Sequence, residues 1–308
     1  MTDVTMNAVR LHGLGDPARL RYERVPRPKP AAAEVLVRVH AAAITRGELD
    51  WPEDRLPATP SYEFSGVVAA TGLGVDRVQP GDAVYGLSDF DRDGAAAEYI
   101  VVPEDVLAPK PEALGHVESA AIPLAGLSAW QGLFDYGSLS RGQRVLIHGA
   151  AGGVGGFAVQ LARARGAHVI GTASAGNVPT TLELGAHEVV AHPDSRFEDV
   201  VDPVDLVFDT AGGERLERSP SVVRPGGKLV SIATEPPPVA AGRGIEAVYF
   251  IVEPNRQQLM ELGRLAATGE LRVPVDQIFP LRDARAAFER SLRRNRHGKI
   301  VLNVAAHP

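Results

Sequence analysis

In the first hundred residues, apolar positions occur in short runs that polar residues, proline and glycine interrupt. Residues 34–40 (Glu-Val-Leu-Val-Arg-Val-His) alternate with a period of two, which is typical of a β-strand with one buried face. Further short apolar runs lie at residues 65–70, 82–86 and 98–103, and proline and glycine residues separate them. Many short strands at this spacing predict an antiparallel, barrel-like domain.

Beyond residue 117 the pattern changes to longer periods. Residues 117–136 favour helices, and Val154, Phe157 and Leu161 then repeat at the spacing of an amphipathic helix. Apolar strands alternate with such segments, which predicts a parallel sheet with crossover helices. The last strands could pair back with the first domain. Strands are predicted at residues 144–148, 168–173, 205–209, 228–232, 273–281 and 298–304, and helices at 180–184 and 283–293.

Composition narrows the function classes. A length of 308 residues, with 44% hydrophobic and 23% charged residues, is typical of a globular protein with two domains. The absence of cysteine excludes disulfides and thiolate metal sites. A net charge of −6 argues against nucleic-acid partners. Neither a signal peptide nor a bilayer-spanning apolar run is visible, so we expect a cytoplasmic protein that acts on a small molecule and does not enter membranes.

Residues 149–155 (Gly-Ala-Ala-Gly-Gly-Val-Gly) follow a predicted strand and open a predicted helix. In this context Gly149 allows a tight turn, Gly152 admits a pyrophosphate, and Gly155 lets the helix pack closely on the strand. The helix N-terminus adds N–H donors and partial positive charge. The pattern therefore predicts a dinucleotide site. Its predicted cofactor contacts are Gly149, Ala151, Gly152, Gly153, Val154 and Gly155.

The end of the next strand favours NADPH over NADH. An acid at this place would bind the ribose 2′-hydroxyl of NAD and repel a 2′-phosphate. Here Thr172 is followed by no acid before Glu183, and Ser174 and Asn177 can donate to a phosphate. The loop has no lysine or arginine. His192 is the nearest basic candidate, and it is either a phosphate ligand or an ordinary loop residue.

Five stretches spread over nearly the whole chain form a recognisable set: residues 124–130, 144–155, 209–213 (Asp-Thr-Ala-Gly-Gly), 224–228 and 298–302. Together they resemble the medium-chain dehydrogenase/reductase superfamily, in its zinc-independent quinone oxidoreductase-like branch. The resemblance implies an α/β fold of two domains. A GroES-like β-barrel catalytic domain would span residues 1–119 and be completed by residues 271–308, and a Rossmann domain with a doubly wound parallel sheet would span residues 120–270.

Three positions distinguish this chain from the zinc-dependent members of that family. The resemblance places Thr45, Tyr62 and Ala125 where those members have cysteine, histidine and cysteine as catalytic zinc ligands. Two of these three residues cannot bind zinc, and the third is at best a poor ligand. No close histidine pair has the spacing of metal ligands. We therefore expect a site without metal.

Without a Lewis acid, hydride addition to a conjugated double bond or a quinone needs less help than reduction of a simple ketone. Tyr62 is either a hydrogen-bond or proton donor to the oxyanion or an aromatic wall. Thr45 either contacts the nicotinamide ribose or substrate or belongs to a capped turn. Glu48 is either an acid/base group or a solvated loop carboxylate. The predicted substrate pocket comprises Glu48, Trp51, Phe90 and Leu124.

The resemblance also implies cofactor contacts beyond the glycine-rich turn. Thr210, Ala211 and Gly212 follow a predicted strand at the sheet edge where ligands bind. Lys299 would reach the cofactor or the substrate, or is an ordinary strand-edge lysine. The remaining implied contacts are Ser128, Ile232, Ala233, Phe250 and Val252.

Three functions are compatible with these residues. The first is an NADPH-dependent reductase of quinones or α,β-unsaturated carbonyl compounds. The second is a biosynthetic tailoring enzyme of the same fold that acts on an imine or unsaturated intermediate, or catalyses a cyclisation. The third is a crystallin-like protein that binds NADPH without turnover.

The apolar run at residues 246–253 predicts an exposed edge strand. In the family this strand pairs across a two-fold axis, so a homodimer is expected.

Overall fold

The computed structural model describes residues 4–51, 54–192, 195–293 and 297–305 and divides the chain into two compact units. The first unit comprises residues 1–124, 254–294 and 299–308, and the second comprises residues 125–253 and 295–298. The sequence placed these divisions at residues 119/120 and 270/271. The later boundary differs because helix α7 (Arg256–Ala267) packs on the first unit, where the Tyr85 hydroxyl donates to the Leu259 carbonyl.

The first unit is built around β3 (Glu34–Ile44), which pairs antiparallel with β4 (Glu63–Thr71), β6 (Tyr99–Pro103) and β15 (Lys299–Asn303). The sequence predicted that this strand ends at residue 40. It continues because Ala41 and Ala43 pack against helix α1 (His116–Ala120), while Ala42, on the opposite face, packs in the main apolar core, so neither face is polar. The other elements of this unit are β1 (Thr5–Leu11), β2 (Leu20–Pro26), β5 (Ala83–Leu87), β7 (Leu107–Pro109), β14 (Val275–Pro280) and α8 (Ala284–Leu292).

The described strands of this unit form one sheet in the order β14-β15-β3-β4-β5-β7, with β6 also paired to β3, and a separate ribbon of β1 and β2. Apart from the parallel pair of β14 and β15, neighbouring strands run antiparallel. A large apolar cluster contains Val35, Val37 and Val39 of β3 together with Phe288 of α8. The C-terminal residues therefore complete the core of the N-terminal unit.

The second unit is a parallel sheet whose strand order is β10-β9-β8-β11-β12-β13. In this order the chain reverses direction across the sheet between β8 and β11, which is where doubly wound sheets bind ligands. The strands are β8 (Arg144–His148), β9 (His168–Ser174), β10 (Glu188–His192), β11 (Val204–Asp209), β12 (Val223–Ser231) and β13 (Glu246–Tyr249). The helices are the later part of α2 (Pro123–Trp130), α3 (Gly153–Ala164), α4 (Val178–Glu183), α5 (Glu214–Arg218) and α6 (Val239–Gly242).

The strand predicted at residues 246–253 is shorter in the structure. It ends at Tyr249, because its partner β12 ends at Ser231, which lies opposite Tyr249 in the register. The N–H of Phe250 still bonds the Ser231 carbonyl, at 3.1 Å. Beyond it, residues 251–253 have no strand to pair with, so β13 is a short edge strand.

Candidate functional site

The glycine-rich turn leaves β8 through Gly149, whose φ of 73° lies in the left-handed region. A Cβ at this residue would lie 2.6 Å from the Thr210 hydroxyl oxygen, and a Cβ on Gly155 would collide with the Gly149 carbonyl oxygen. The turn is therefore too tight for side chains at both positions, as the sequence predicted from the glycine spacing.

The start of α3 offers backbone donors. Gly152 is its N-cap and has no side chain to satisfy them, while the Gly152 N–H itself bonds the Gly149 carbonyl at 2.9 Å. Within the described chain, the N–H groups of Gly153, Val154 and Gly155 have no backbone or side-chain acceptor. Three open donors at a helix N-terminus form the usual cradle for a pyrophosphate.

The end of β9 lies beside the end of β10, since Ser174 and His192 are register partners in the parallel pair. Asn177 follows Ser174 within one turn, and no acid occurs before Glu183. His192 is half-buried. Burial, followed by the charge of Arg215, lowers the pKa of His192, so the ring is neutral at neutral pH.

Arg215 is a cation that sequence reasoning missed. It lies on α5, and its Nε is buried without a hydrogen-bond partner among the described residues. The C-cap residue of this helix, Ser219, contacts the His148 Nε2 through its hydroxyl at 2.9 Å, which places the end of α5 over the end of β8. Burial and the charge of Arg215 lower the pKa of His148 to about 3. No local sequence pattern connects Arg215 with the strand end, because Arg215 lies 41 positions beyond Ser174.

The Thr172 side chain does not face an open site. It is 2% exposed, and its hydroxyl contacts the His148 Nδ1 at 3.1 Å. The Thr172 carbonyl accepts the Ala150 N–H at 3.1 Å. Thr172 therefore holds the glycine-rich turn on the sheet, and its predicted place among the cofactor contacts stays a prediction.

The carboxyl ends of β11 and β12 are tied together by Asp209, which the sequence did not single out. This buried carboxylate accepts the Gly212 N–H at 2.9 Å and the Ser231 hydroxyl at 3.1 Å. Burial raises the pKa of Asp209. The Thr210 hydroxyl donates to the His148 carbonyl at 2.7 Å. These bonds gather the predicted residues Thr210, Ala211, Gly212, Ile232 and Ala233 at one edge of the sheet.

The remaining predicted cofactor contacts of the second unit are buried side chains. Phe250 stacks on Tyr136 with 4.4 Å between ring centroids, and Val252 follows it along the chain. Ser128 lies buried on α2. These residues form part of the apolar interior of the unit, and their contact with a cofactor stays a prediction.

The first unit has a buried polar cluster of Thr45, Glu48, Glu63 and Lys299. Lys299 forms an ion pair with Glu63, and its Nζ donates to the Thr45 hydroxyl at 3.0 Å. The side chain of Lys299 is 6% exposed. Since both of these partners lie inside the unit, Lys299 is not a strand-edge lysine in solvent, and its contact with cofactor or substrate stays a prediction.

Glu48 also departs from the sequence-based interpretations. It is 0% exposed, and its two carboxylate oxygens accept the N–H groups of Thr45 and Ser61, each at 3.0 Å. Burial outweighs the nearby Lys299 charge and raises the pKa of Glu48 to about 8. Glu48 is therefore a structural group that holds the loop after β3, neither a solvated carboxylate nor part of an open pocket.

Leu124 is held beside the same cluster. Its N–H donates to the Glu63 carboxylate at 2.9 Å, and its side chain is buried. The predicted pocket residue thus lies at the first turn of α2, next to the Glu63–Lys299 pair.

Trp51, Tyr62 and Phe90 form an aromatic cluster, with ring centroids 5.2–5.8 Å apart. Tyr62 is 0% exposed, and burial raises its pKa, so the phenol is neutral at neutral pH. Its oxygen accepts a hydrogen bond from the Arg55 Nη2 at 3.0 Å. Arg55 was missed because a single arginine in a proline-containing loop looks like a solvated charge.

Comparison with known proteins connects both units to one family. Residues 31–112 match the family model described as alcohol dehydrogenase GroES-like domain, and residues 184–302 match the one described as zinc-binding dehydrogenase. A probable zinc-binding oxidoreductase, mitochondrial, from Arthroderma benhamiae is 31% identical, over 92% of this chain and 92% of that protein. An NADPH-dependent alkenal/one oxidoreductase, chloroplastic, from Arabidopsis thaliana is 31% identical, over 89% of this chain and 73% of that protein.

A quinone oxidoreductase structure from Coxiella burnetii superposes with a TM-score of 0.92, at 31% identity, and covers 98% of this chain and 100% of that one. The GroES-like domain and the Rossmann-like parallel sheet expected from the sequence are confirmed.

The zinc in one family description does not fit the residues present. The Thr45 oxygen accepts a bond from a lysine ammonium, and the Tyr62 oxygen accepts one from an arginine. Positive charge at both oxygens opposes a metal cation. In the described part of the chain, no group of three His, Cys, Asp or Glu side chains is placed to hold a metal. By its two domains and its relatives, the chain belongs to the medium-chain dehydrogenase/reductase superfamily, in the quinone oxidoreductase-like branch.

Proposed function

We propose that this protein is an NADPH-dependent reductase of quinones and α,β-unsaturated carbonyl compounds that works without zinc. The observation that carries the proposal is the glycine-rich turn with three open N–H donors, next to a strand end without an acid. The named activities of the relatives from Arabidopsis thaliana and Coxiella burnetii support the same acceptor classes.

The second unit would hold the dinucleotide. The N–H groups of Gly153, Val154 and Gly155 would bind the pyrophosphate, and the bound nicotinamide would supply a hydride. Ser174 and Asn177 would donate to the 2′-phosphate. Arg215 would supply the positive charge that a neutral His192 does not, since its buried Nε still lacks a partner among the described residues.

The first unit would handle the acceptor. The Lys299 ammonium donates to the Thr45 oxygen, which leaves the hydroxyl hydrogen of Thr45 without an acceptor among described groups. Thr45 is half-buried at the end of β3, so this polarised hydroxyl can donate to a developing enolate or quinol oxygen. Trp51 and Phe90 shape the apolar wall, and the buried Tyr62 backs both rings as a neutral phenol whose oxygen is held by Arg55.

Turnover assays test this function directly. We expect NADPH oxidation with a simple quinone and with a simple enone, at higher kcat/KM than with NADH. Treatment with a strong chelator should leave the rate unchanged, and added zinc should not raise it. Loss of activity on chelation, or turnover of simple alcohols that depends on added zinc, would contradict the zinc-free proposal.

We also propose a homodimer that pairs through β13. This strand forms one edge of the sheet, with β12 as its neighbour on one side, and Ile251 beyond it is 62% exposed. Light scattering on a sizing column at micromolar concentration should give twice the mass of the chain, and Val248→Pro should shift it to the monomer. A monomer for the unaltered protein would rule out this assembly.

A further inference from the structure

The Arg55 guanidinium, in the first unit, is only partly hydrogen-bonded to described groups. Its Nη2 donates to the Tyr62 oxygen at 3.0 Å and to the Phe90 carbonyl. These two acceptors fix the guanidinium against the aromatic cluster, and the residue is half-buried. Its Nε and Nη1 have no partner among residues 4–51, 54–192, 195–293 and 297–305. The anchored arginine therefore has two N–H groups, Nε and Nη1, for which the described residues supply no hydrogen-bond acceptor.

Two described carboxylates near this arginine are committed elsewhere. Asp93 pairs with Arg10 at 2.8 Å, and Glu48 accepts two backbone N–H groups beside Lys299. Both carboxylates act electrostatically on Tyr62, as Arg55 does, so they lie in the same neighbourhood. Even so, neither forms an ion pair with Arg55. Neither Nε nor Nη1 is a buried atom without a partner, so these donors face solvent, where an anion from outside can replace water.

The surroundings of Arg55 also fit a flat apolar partner. Trp51 is 40% exposed, and its ring meets the Phe90 ring edge-on with 5.2 Å between centroids. Tyr62 packs beneath both rings and is covered. An exposed indole next to a fixed guanidinium can stack on a planar group while the arginine binds an anionic substituent of that group.

We propose that this site selects acceptors with a planar conjugated carbonyl frame that carries a carboxylate, and that Arg55 binds the carboxylate. The proposal deepens the proposed function and rests on it for the hydride transfer. Arg55 is then a specificity-determining residue, and Tyr62 is the positioning residue that holds its guanidinium through the phenol oxygen.

A matched pair of substrates tests the proposal: 4-phenylbut-3-en-2-one and the same compound with a para-carboxylate. With NADPH, we expect the unaltered enzyme to favour the carboxylate by roughly tenfold in kcat/KM, the value of one charge-assisted hydrogen bond. The preference should shrink as ionic strength rises. Equal kcat/KM for the two compounds in the unaltered enzyme would overturn the proposal without any variant.

Variants then locate the charge. Arg55→Met should remove the preference for the carboxylate, while Arg55→Lys, which keeps the charge but loses the double anchor, should retain part of it. Arg21→Met is the matched control, because Arg21 is an exposed arginine on β2 of the same unit. It should leave the ratio of the two kcat/KM values as it is. An equal loss on both substrates in Arg55→Met and Arg55→Lys would assign Arg55 a structural role instead.

Binding separates this inference from the proposed function. Trp51 is one of two tryptophans, so quenching of its fluorescence by the para-carboxylate compound reports occupancy, and Trp51→Phe shows how much of the signal is its own. Quenching that depends on Arg55 without turnover would support the anion site and sink the reductase. Turnover of the neutral enone without any carboxylate preference would sink the anion site and keep the reductase. Neither binding nor turnover would overturn both.

Discussion

The two candidate regions of this molecule differ in the groups that form them: backbone in the second unit and side chains in the first. The glycine-rich turn of the second unit consists of backbone, and it works because residues 149, 152 and 155 have no side chains to fill the space. The polar cluster of the first unit consists of side chains, and Lys299, Glu63 and Glu48 satisfy one another and the backbone. A region of the first kind is open to a ligand, whereas in the second the buried groups satisfy one another and the half-buried Thr45 hydroxyl is left to meet a ligand.

The largest effect should come from removing the cation of the closed cluster. Lys299→Met leaves the buried Glu63 carboxylate without its positive partner, so we expect the free energy of unfolding to fall by about 3–5 kcal/mol. Arg285→Met, which breaks an exposed pair with Glu289 in the same unit, should cost less than about 1 kcal/mol. Urea unfolding of both variants measures this. Similar small losses would mean that the cluster is not the closed electrostatic unit described above.

A side chain in the open region should act on binding and stability together. Gly155→Ala places a methyl group against the Gly149 carbonyl, so we expect a loss of about 3 kcal/mol in unfolding free energy and weaker NADPH binding. Gly242→Ala, in the same unit with free space around its Cβ, is the control and should do neither. Thermal unfolding and NADPH titration give the two readouts, and an unaltered affinity in Gly155→Ala would speak against the turn as the cofactor site.

The closed cluster should also have a pH signature. Glu48 has a folded pKa of about 8 against an ordinary value of 4.5, so the folded state holds an extra proton between these values. Its contribution to stability is complete below about pH 4.5 and is lost as pH rises towards 8, with a loss of more than about 1.4 kcal/mol for a shift above one unit. Glu48→Gln should remove this slope. Parallel curves of unfolding free energy against pH for the two proteins would contradict the assignment.

The smallest effect is expected at the edge of the open region. Arg215→Met should lower kcat/KM for NADPH relative to NADH by roughly tenfold, because it removes one charged partner of the 2′-phosphate. Arg243→Met, an exposed change in the same unit, is the control and should leave the ratio of the two cofactors as it is. If the ratio of kcat/KM for NADPH to kcat/KM for NADH is unchanged in Arg215→Met, Arg215 does not bind the 2′-phosphate. Ser174, Asn177 and His192 would then remain its proposed ligands.

The same contrast explains which features of the fold and the candidate site could be predicted from the sequence. The fold class and the family are confirmed, because strand alternation and glycine spacing are local patterns that neighbouring residues carry. Lys299 and Arg215 were misjudged or missed because their partners lie far away along the chain, as Thr45 does from Lys299. Elements β7, α5 and α6 have three to five residues each and are too short to show a period.

The pairing of β15 with β3 has a consequence for how the protein is made. Ile300 lies opposite Ile44, so β3, in the first sixth of the chain, cannot pair with β15 until the last residues have left the ribosome. Lys299 arrives with the same strand, and until then Glu48 and Glu63 have no cation to pack with. The second unit, apart from residues 295–298, is contiguous and can form earlier. The N-terminal unit is therefore expected to be the last to finish folding, and a nascent chain stalled before residue 299 should leave it open to proteases.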